Sequence, residues 1–418
     1  MRHDAGAAAA PPYTPSDTLH LWWLGMPADP VYIGELHTMR TQRGVSLHYD
    51  AGWLAHGFAL SEDLPLVDQE FLPREKDTAA GAVDDARPDR WGERLIRFVD
   101  KPPRLSLLEY LYFAGDERFG ALGVSTSAER YLPRRFGPIP TLPDVGTIHA
   151  LVQKVLANEP LADAEKRLVA PGVTMGGVRP KGLLDIDGVQ WVVKFPDGEP
   201  VDTPLIEHAT MTLAAQAGIQ VAETRAIRLA GGHAVAVRRF DREGSRRLHA
   251  LTAGTALKAA GENIGYPELA QLLRRLGVAA DGTNVAQMRE LFRRMVFNIL
   301  IDNTDDHEKN HVLLADDALQ LALSPAFDVL PSGQALGYQQ MRVGEMDADS
   351  TLANAMSMCP LFALTKNQAA KEAAAVATVV SRWRKHFTGC GVGKRDIAAL
   401  AEQIDRPFLR EQRDEFAG

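Results

Sequence analysis

A short polar segment lies between two apolar stretches of the chain, and it restricts the fold more than any other feature. The sequence NTDDHEKNHVLL, residues 303–314, combines two asparagines with six ionisable side chains. An amphipathic helix is predicted just before it, from about Val285 to Ile301, and a β-hairpin is predicted around its end. Buried polar groups are costly without partners, so this concentration at a closing core indicates binding or chemistry.

Three oxygen-bearing side chains in and after this segment have the spacing of a phosphoryl-transfer site. Asp305 and Asn310 are five residues apart, and Asp328 follows the predicted hairpin. Phosphoryl transfer needs a carboxylate to orient a hydroxyl nucleophile and oxygen ligands for Mg²⁺. In protein kinases the catalytic Asp and a metal-binding Asn have the same separation, and a strand pair then leads to the metal-binding Asp. The chain reproduces that layout without the usual HRD and DFG letters.

Residues upstream supply the other parts that a nucleotide site needs. A glycine loop, TMGGVRPK, precedes an apolar strand with a lysine, WVVKF, and a glutamate begins the following helix. A lysine buried on a strand requires a counter-charge. Each feature alone also fits a structural role, namely a turn, a snorkelling lysine or a helix N-terminal carboxylate. Their order along one chain favours a nucleotide site formed by Gly176, Gly177, Lys181, Lys194 and Glu207.

Length and composition predict several folded units. The chain has 418 residues, which is too long for a single hydrophobic core. Hydrophobic residues make up 45% and charged residues 24%, a composition typical of globular proteins. The predicted fold class is α+β. The expected organisation is a flexible tail at 1–17, a small α+β domain at 18–130, a proline-rich linker at 131–146, a sheet lobe at 147–250 and a helical lobe at 251–418.

Local patterns predict several elements within these units. The sheet lobe should contain two strands, a helix and two more strands, in that order along the chain. A helix should begin at Asp89-Arg90-Trp91-Gly92, and another should run from Lys366 to Lys385. On the helix from Val285 to Ile301, Arg294 should lie off the apolar face.

Charge and cysteine content exclude some classes of protein. The net charge of −8 gives no positive field for binding nucleic acid directly, so DNA contact is expected through a partner. Cys359 and Cys390 are the two cysteines of the chain, and neither belongs to a CxxC pair. A disulfide scaffold and a cysteine zinc site are therefore not expected. This cysteine usage predicts a reducing, cytoplasmic location. The first residues, MRHDAGAAAAPPYTPSDT, contain no apolar segment long enough for a signal core or a membrane span.

Several motifs together resemble the HipA family, the kinase-like toxins of bacterial type II toxin–antitoxin modules. In the second half they are TMGGVRPK, VVKFP, VRRFDR, NTDDHEKNH and SPAFDVLPS, and in the first half WGERL and GDERFGALG. The similarity covers most of the chain. It implies a protein-kinase-like fold of a sheet lobe and a helical lobe, preceded by the amino-terminal α+β domain of that family.

The resemblance also implies roles for individual residues around ATP and Mg²⁺. Asp305 would be the catalytic base, Asn310 and Asp328 would hold Mg²⁺, and Lys194 would contact phosphate. Lys309 is expected to reach the transferred phosphoryl group and His307 to brace the loop, with surface charge as the alternative for both. The backbone of the inter-lobe hinge would border the adenine at Arg238, Arg239 and Phe240.

A serine/threonine protein kinase that arrests growth is the activity implied by the resemblance. Its substrate would be a cellular protein, with an aminoacyl-tRNA synthetase or another translation component as the leading candidate. A HipB-like helix-turn-helix antitoxin would neutralise it and contact operator DNA. Thr174 matches the position at which relatives carry a regulatory serine, so autophosphorylation there is one interpretation. A threonine that bonds to the turn backbone is the other.

Two other functions remain open from the sequence. Asp305, Asp306, His307 and His311 form a group of metal-ligand residue types, which would suit a metal-dependent phosphohydrolase. A catalytically weak kinase fold that binds an antitoxin and acts as a corepressor is the second alternative. Dependence on nucleotide separates the first from a kinase. Growth arrest by a variant without Asp305 would indicate the second.

Overall fold

The computed structural model describes residues 13–134, 137–169 and 177–417. Within these ranges an N-terminal α+β domain precedes a sheet lobe and a helical lobe, as the sequence predicted. Thr174 and Gly176 of the glycine loop lie outside the described residues. None of the helices in these ranges is both long and apolar enough to cross a bilayer.

The N-terminal domain is built on an antiparallel sheet of five strands. They are β1 Thr18–Trp23, β2 Val31–Met39, β3 Gly44–Tyr49, β4 Glu70–Phe71 and β5 Leu122–Ser125. Their spatial order is β4-β3-β2-β1-β5. Alternate residues of β1, Leu19 and Leu21, are fully buried, because successive side chains of a strand point to opposite faces. The helices of this domain are α1 Ala51–His56, α2 Arg90–Leu95 and α3 Leu107–Phe113.

Residues 13–17, which the sequence assigned to a flexible tail, lie against this domain. The ring of Tyr13 stacks on Tyr112 with 4.8 Å between centroids, and its hydroxyl donates to Glu109 at 2.7 Å. Asp17 forms ion pairs with Arg104 and Arg40 at 2.6 and 2.7 Å. The tail prediction is therefore wrong for these five residues, because an aromatic ring and paired charges fix them.

The sheet lobe contains four antiparallel strands with a helix inserted between the second and third, the order predicted from the sequence. The strands are β6 Lys181–Ile186, β7 Val189–Lys194, β8 Thr224–Leu229 and β9 Gly232–Arg238. The helices are α4 Val145–Leu156, α5 Asp163–Lys166 and α6 Thr203–Gln216. The spatial order of the strands is β6-β7-β9-β8. Because α4 begins at Val145, the last two residues of the predicted linker are helical.

Helices cover both faces of this sheet. Trp191 and Val193 of β7 pack in a core with Ile148 and Val152 of α4. Val192 lies in the other core, together with residues of α6. Strand alternation places the next even-numbered residue, Lys194, on the α6 side as well. This local geometry directs the lysine toward the helical lobe.

The helical lobe surrounds one buried helix. Its helices are α7 Ala253–Ala260, α8 Tyr266–Leu276, α9 Thr283–Leu300, α10 Leu352–Ser357, α11 Lys366–Val380, α12 Trp383–Gly389, α13 Lys394–Ile404 and α14 Pro407–Ala417. Short strands precede and interrupt them: β10 Arg242–Glu243, β11 Arg246–Arg247, β12 Ala250–Thr252, β13 Val312–Ala315 and β14 Leu321–Leu323. Helix α9 matches the predicted helix to within two residues at each end.

Two details of this lobe differ from the sequence interpretation. Arg294 was placed off the apolar face of α9, but it is buried, where it pairs with Glu290 and donates to the carbonyl of Ser324 at 2.7 Å. The helix predicted from Lys366 to Lys385 is broken after Val380 into α11 and α12. The break lets the buried Trp383 donate to Asp405 of the C-terminal segment at 3.0 Å.

Candidate active site

A cleft between the two lobes contains six of the predicted site residues, namely Gly177, Lys181, Lys194, Asp305, Asn310 and Asp328. The polar segment connects α9 to β13, and Asp328 follows β14, so both approach the end of the sheet lobe. The residues that line the cleft are Gly177, Val178, Arg179, Lys181, Lys194, Asn303, Asp305, Asn310, Asp328, Leu330, Pro331, Ser332 and Gln334. The cavity measures about 100 Å³. Most small-molecule sites have about 300–1,000 Å³, so the cleft in this conformation is smaller than a nucleotide site usually is.

Lys194 joins the two lobes through a buried group of three charges. Its Nζ lies 2.7 Å from Glu207 of α6 and 2.5 Å from Asp328. Burial opposes the charge of Lys194, but the attraction of Asp328 and Glu207 outweighs it and raises the pKa of the lysine. Burial also opposes the charge of Asp328, yet Lys194 holds the pKa of that carboxyl below its ordinary value. The cleft therefore presents an ionised carboxylate beside a fixed cation.

Backbone conformation places the glycine loop close to Asp328. Gly177 has a φ of +91°, in the region that favours glycine, and a Cβ built there would lie 3.7 Å from the Asp328 carboxylate. Asp328 itself has a φ of +57°, which is uncommon outside glycine. A side chain at position 177 would occupy the space beside this carboxylate, where a ligand would enter.

Lys181 is held in the cleft by the N-terminal domain. It is buried and forms an ion pair with Asp89, the residue that caps α2. The indole of Trp91 donates to the carbonyl of Lys181 at 2.8 Å. The sequence marked Asp89 and Trp91 as the start of a helix but gave no signal for this contact, because it joins residues about 90 positions apart.

The amide of Asn310 has the properties of a free metal ligand. Its Oδ1 is buried and has no hydrogen-bond partner among the described residues. Asp305 is exposed at the mouth of the same cleft, and Asp328 lines this cleft too. Carboxylate and amide oxygens are the donors that Mg²⁺ accepts. The residues present therefore fit this cation.

A buried network fixes the segment between Asp305 and Asn310. Asp306 accepts from the hydroxyl of Tyr266 in α8 and lies 2.8 Å from Nε2 of His311. Burial opposes the charge of Asp306, but His311 and Tyr266 hold the pKa of its carboxyl below the ordinary value. Asp306 and His311 bind each other inside the lobe, so they brace the loop rather than face the cleft.

The remaining predicted residues do not line the cleft. Lys309 lines a second cavity of about 270 Å³, between α7 and the N-terminal domain, together with residues such as Arg87 and Lys258. The backbone carbonyl of His307 accepts a hydrogen bond from the Asn310 N–H at 2.9 Å, and the His307 ring does not line the cleft. In the described ranges, no three His, Cys, Asp or Glu side chains group closely enough to hold a metal ion.

The predicted hinge residues have three different environments. Arg238 is half exposed and lies 3.4 Å from Glu223. Arg239 is buried and donates to the carbonyls of Glu117 and Arg118, away from the cleft. Phe240 contacts Phe327, the residue before Asp328, with 5.2 Å between ring centroids. Of the three side chains, that of Phe240 approaches the site most directly.

Sequence reasoning missed several residues that the cleft contains. Arg179, Asn303, Ser332 and Gln334 line it, and none was assigned a role. Arg179 and Asn303 stand within the quoted motifs TMGGVRPK and NTDDHEKNH, so their position was available as a signal. Ser332 and Gln334 follow Asp328 in a segment without regular secondary structure, and no periodicity marks them.

Family models match two parts of the chain. A model described as the HipA-like C-terminal domain matches residues 173–384, slightly more than half of the chain. A model described as the HipA N-terminal domain matches residues 26–125.

Similar proteins are found among curated sequences and solved structures. The "Putative kinase Y4mE" of Sinorhizobium fredii is 26% identical over 79% of this chain and 83% of its own length. The "Putative kinase Y4dM" of the same organism is 32% identical over 34% of this chain, and the matched region spans only 37% of the length of that relative. HipA of Shewanella oneidensis, solved with HipB and operator DNA, aligns over 95% of this chain and 99% of its own, with TM-score 0.65 and 19% identity. At 19% identity, this structural likeness shows that the two proteins share a fold and no more than that.

Proposed function

Because this chain belongs to the HipA family and has its kinase-like fold, we propose that it is an ATP- and Mg²⁺-dependent serine/threonine protein kinase. The observation that carries the proposal is the convergence of Lys194, Asp305, Asn310 and Asp328 on one cleft. Positioning and charge stabilisation supply most of the catalysis in phosphoryl transfer. Lys194, Asp305 and Asp328 supply the charges, and Asn310 the neutral oxygen ligand, that such a reaction requires.

Each cleft residue has a defined part in the proposed reaction. Asp305, exposed at the mouth, accepts the proton of the substrate hydroxyl while the hydroxyl oxygen bonds to the γ-phosphorus of ATP. The bond from that phosphorus to the bridging oxygen breaks at the same time, and ADP leaves. Asn310 Oδ1 and the Asp328 carboxylate would hold Mg²⁺, which neutralises the phosphate charge when bound. Lys194 and Lys181 orient phosphate oxygens, and Gly177 lets the backbone approach them. Lys309 can reach the transferred group only if its side chain leaves the second cavity.

The partners follow from the family. We expect an antitoxin of the helix-turn-helix class to neutralise the kinase and to supply the DNA contacts, because the net charge of this chain is −8. The HipB and operator DNA of the Shewanella complex support this expectation. A protein of the translation machinery, such as an aminoacyl-tRNA synthetase, is the proposed substrate, and its modification would arrest growth. Thr174 is retained as a proposed autophosphorylation site.

The test replaces the proposed base and measures transfer. Asp305→Asn keeps the shape of the side chain but removes the proton acceptor, so phosphate transfer from labelled ATP to proteins of a cell extract should fall by about 100-fold or more. Binding of MgATP, measured by calorimetry, should change little, because the ATP contacts remain. Mass spectrometry of the extract identifies the modified proteins.

The control for this test is Asp316→Asn, which changes an exposed carboxylate in the turn between β13 and β14. It should transfer phosphate at the rate of the unmodified protein. Transfer at that same rate by Asp305→Asn would reject the assignment of the base. Growth arrest by a transfer-deficient Asp305→Asn protein would instead favour the corepressor function.

A further inference from the structure

Asp302 combines two unfavourable features at the start of the polar segment. Its φ is +61°, which is unusual for a residue with a side chain, and 1% of its side chain is exposed. It follows the last turn of α9 and stands three residues before Asp305. A buried carboxylate in a left-handed conformation persists only when its surroundings stabilise it.

A C-terminal arginine supplies that stabilisation. Arg406 lies between α13 and α14, and its Nη2 is 2.9 Å from Oδ1 of Asp302. The guanidinium is itself largely buried, with 17% of the side chain exposed. Burial raises the pKa of Asp302, and Arg406 counters that effect. The matched family model ends at residue 384, so this arginine belongs to a part of the chain that the model does not cover.

The backbone of Asp302 continues the connection into the cleft. Its carbonyl accepts from both the N–H and the hydroxyl of Ser332, each at 3.0 Å. The Ser332 hydroxyl is also 2.6 Å from that of Thr304, the residue before Asp305. Ser332 lines the cleft. Asp302 thus connects the C-terminal helices, the segment that contains Asp305 and the chain after Asp328.

We propose that Arg406 is a positioning residue for the phosphoryl-transfer reaction and acts through Asp302. The helices α13 and α14 then serve as a clamp that holds Asp305 at the distance its chemistry requires. The inference rests on the proposed kinase function. Lys194, Lys181 and Gly177 are held by other elements, so the clamp affects Asp305 more than the contacts of these three residues with ATP.

The test is a double-mutant cycle between the two residues. Arg406→Ala should lower kcat about tenfold or more with little change of KM for ATP, since small displacements of catalytic groups cost this much. Asp302→Gly removes the buried charge and suits the positive φ. In that background Arg406→Ala should change kcat by less than about threefold, because the arginine no longer has a charge to neutralise. Arg406→Lys should restore part of the activity.

Thermal unfolding of the same four proteins separates this inference from the proposed function. The midpoint should fall with Arg406→Ala and recover in the double variant even if no substrate is phosphorylated. Arg410→Ala, which changes an exposed arginine of α14, is the control and should alter neither kcat nor the midpoint. A double variant as slow as Arg406→Ala alone would overturn the proposal. A fall of the midpoint with kcat unchanged would overturn it too.

Discussion

At the scale of single residues, Lys194 has a demanding environment. It is buried between two carboxylates, one from α6 and one that follows β14. Buried ion pairs contribute little net stability, but loss of one partner leaves an uncompensated charge. The arrangement therefore makes the cleft depend on all three residues at once, in folding as well as in the proposed chemistry.

Replacement of this lysine should reveal that dependence. Lys194→Met leaves Glu207 and Asp328 buried without their cation, so the free energy of unfolding at pH 7 should fall by about 3–5 kcal/mol. This loss of unfolding free energy should be smaller near pH 5. Without the lysine, Glu207 and Asp328 bind protons more readily in the folded protein, which removes their uncompensated charges. Denaturant titrations at several pH values measure both effects.

A surface pair provides the comparison for Lys194→Met. Lys166 lies 2.6 Å from Asp163, as close as the buried pair, but its side chain is 38% exposed. Lys166→Met should therefore cost less than about 1 kcal/mol. Equal losses in the two variants would show that the Lys194 group is not stabilised in the way proposed.

At the scale of elements, the beginning of α7 is held by the N-terminal domain. Asp85 lies in a 3₁₀ helix, Gly81–Ala86, and accepts from the N–H and hydroxyl of Thr252, each at 2.8 Å. The hydroxyl of Thr255 donates to the same carboxyl at 2.9 Å. Burial raises the pKa of Asp85 from 3.8 to about 6. The cap of one helix thus depends on a carboxyl from another domain.

This carboxyl should give the domain contact a pH dependence. The folded protein holds the proton of Asp85 more tightly than the unfolded chain, so its contribution is greatest near pH 4 and falls as pH rises to about 6. Asp85→Asn, which keeps the neutral shape, should remove that trend. The difference in melting temperature between the two proteins, measured from pH 4 to pH 8, checks it. A difference that does not vary with pH would contradict the assignment.

At the scale of the whole molecule, two motifs that are far apart in sequence join the N-terminal domain to the kinase-like lobes. Asp241 is fully buried, pairs with Arg239 and Arg242, and accepts from the N–H of Gly120 at 2.8 Å. Arg242 donates to the carbonyl of Arg118 at 2.8 Å. The VRRFDR and GDERFGALG motifs therefore hold one domain on the other, a contact that the interpretation of VRRFDR as an inter-lobe hinge did not include.

Removal of the central charge should loosen the domains. Asp241→Asn leaves two buried arginines without their anion, which should cost about 3–5 kcal/mol and split the calorimetric unfolding transition. Although burial opposes its charge, Arg239 and Arg242 lower the pKa of Asp241 to about 2. The contribution of Asp241 is therefore present above pH 4 and lost as pH falls toward 2.

Limited proteolysis within residues 126–134 gives a second measurement of the same change. Most of these residues are exposed or half-buried, and a loosened domain lets this segment adapt more readily to a protease. Glu223→Gln is the matched control, since Glu223 is half exposed and lies 3.4 Å from Arg238. It should leave both the transition and the cleavage rate unchanged. A single, unshifted transition for Asp241→Asn would show that other contacts hold the domains together.

The sequence could predict the elements in which apolar residues recur with a regular local period. Helix α9 and the hairpin of β13 and β14 follow from apolar periodicity, and the strand–strand–helix–strand–strand order follows from short apolar runs with turn residues between them. The helix break after Val380 was missed. Its cause is the buried contact of Trp383 with Asp405, which periodicity does not contain.

By itself the sequence determined the family, the fold class and part of the cleft lining, namely Lys181, Lys194, Asp305, Asn310 and Asp328. Residue type and spacing encode which side chains a helix, a strand and a loop can bring to one end. Tertiary structure alone decided how those residues are held. Asp89 at Lys181, Arg406 at Asp302 and Lys309 in a second cavity are contacts between distant segments. Such contacts arise from packing of whole elements, and no local pattern records them.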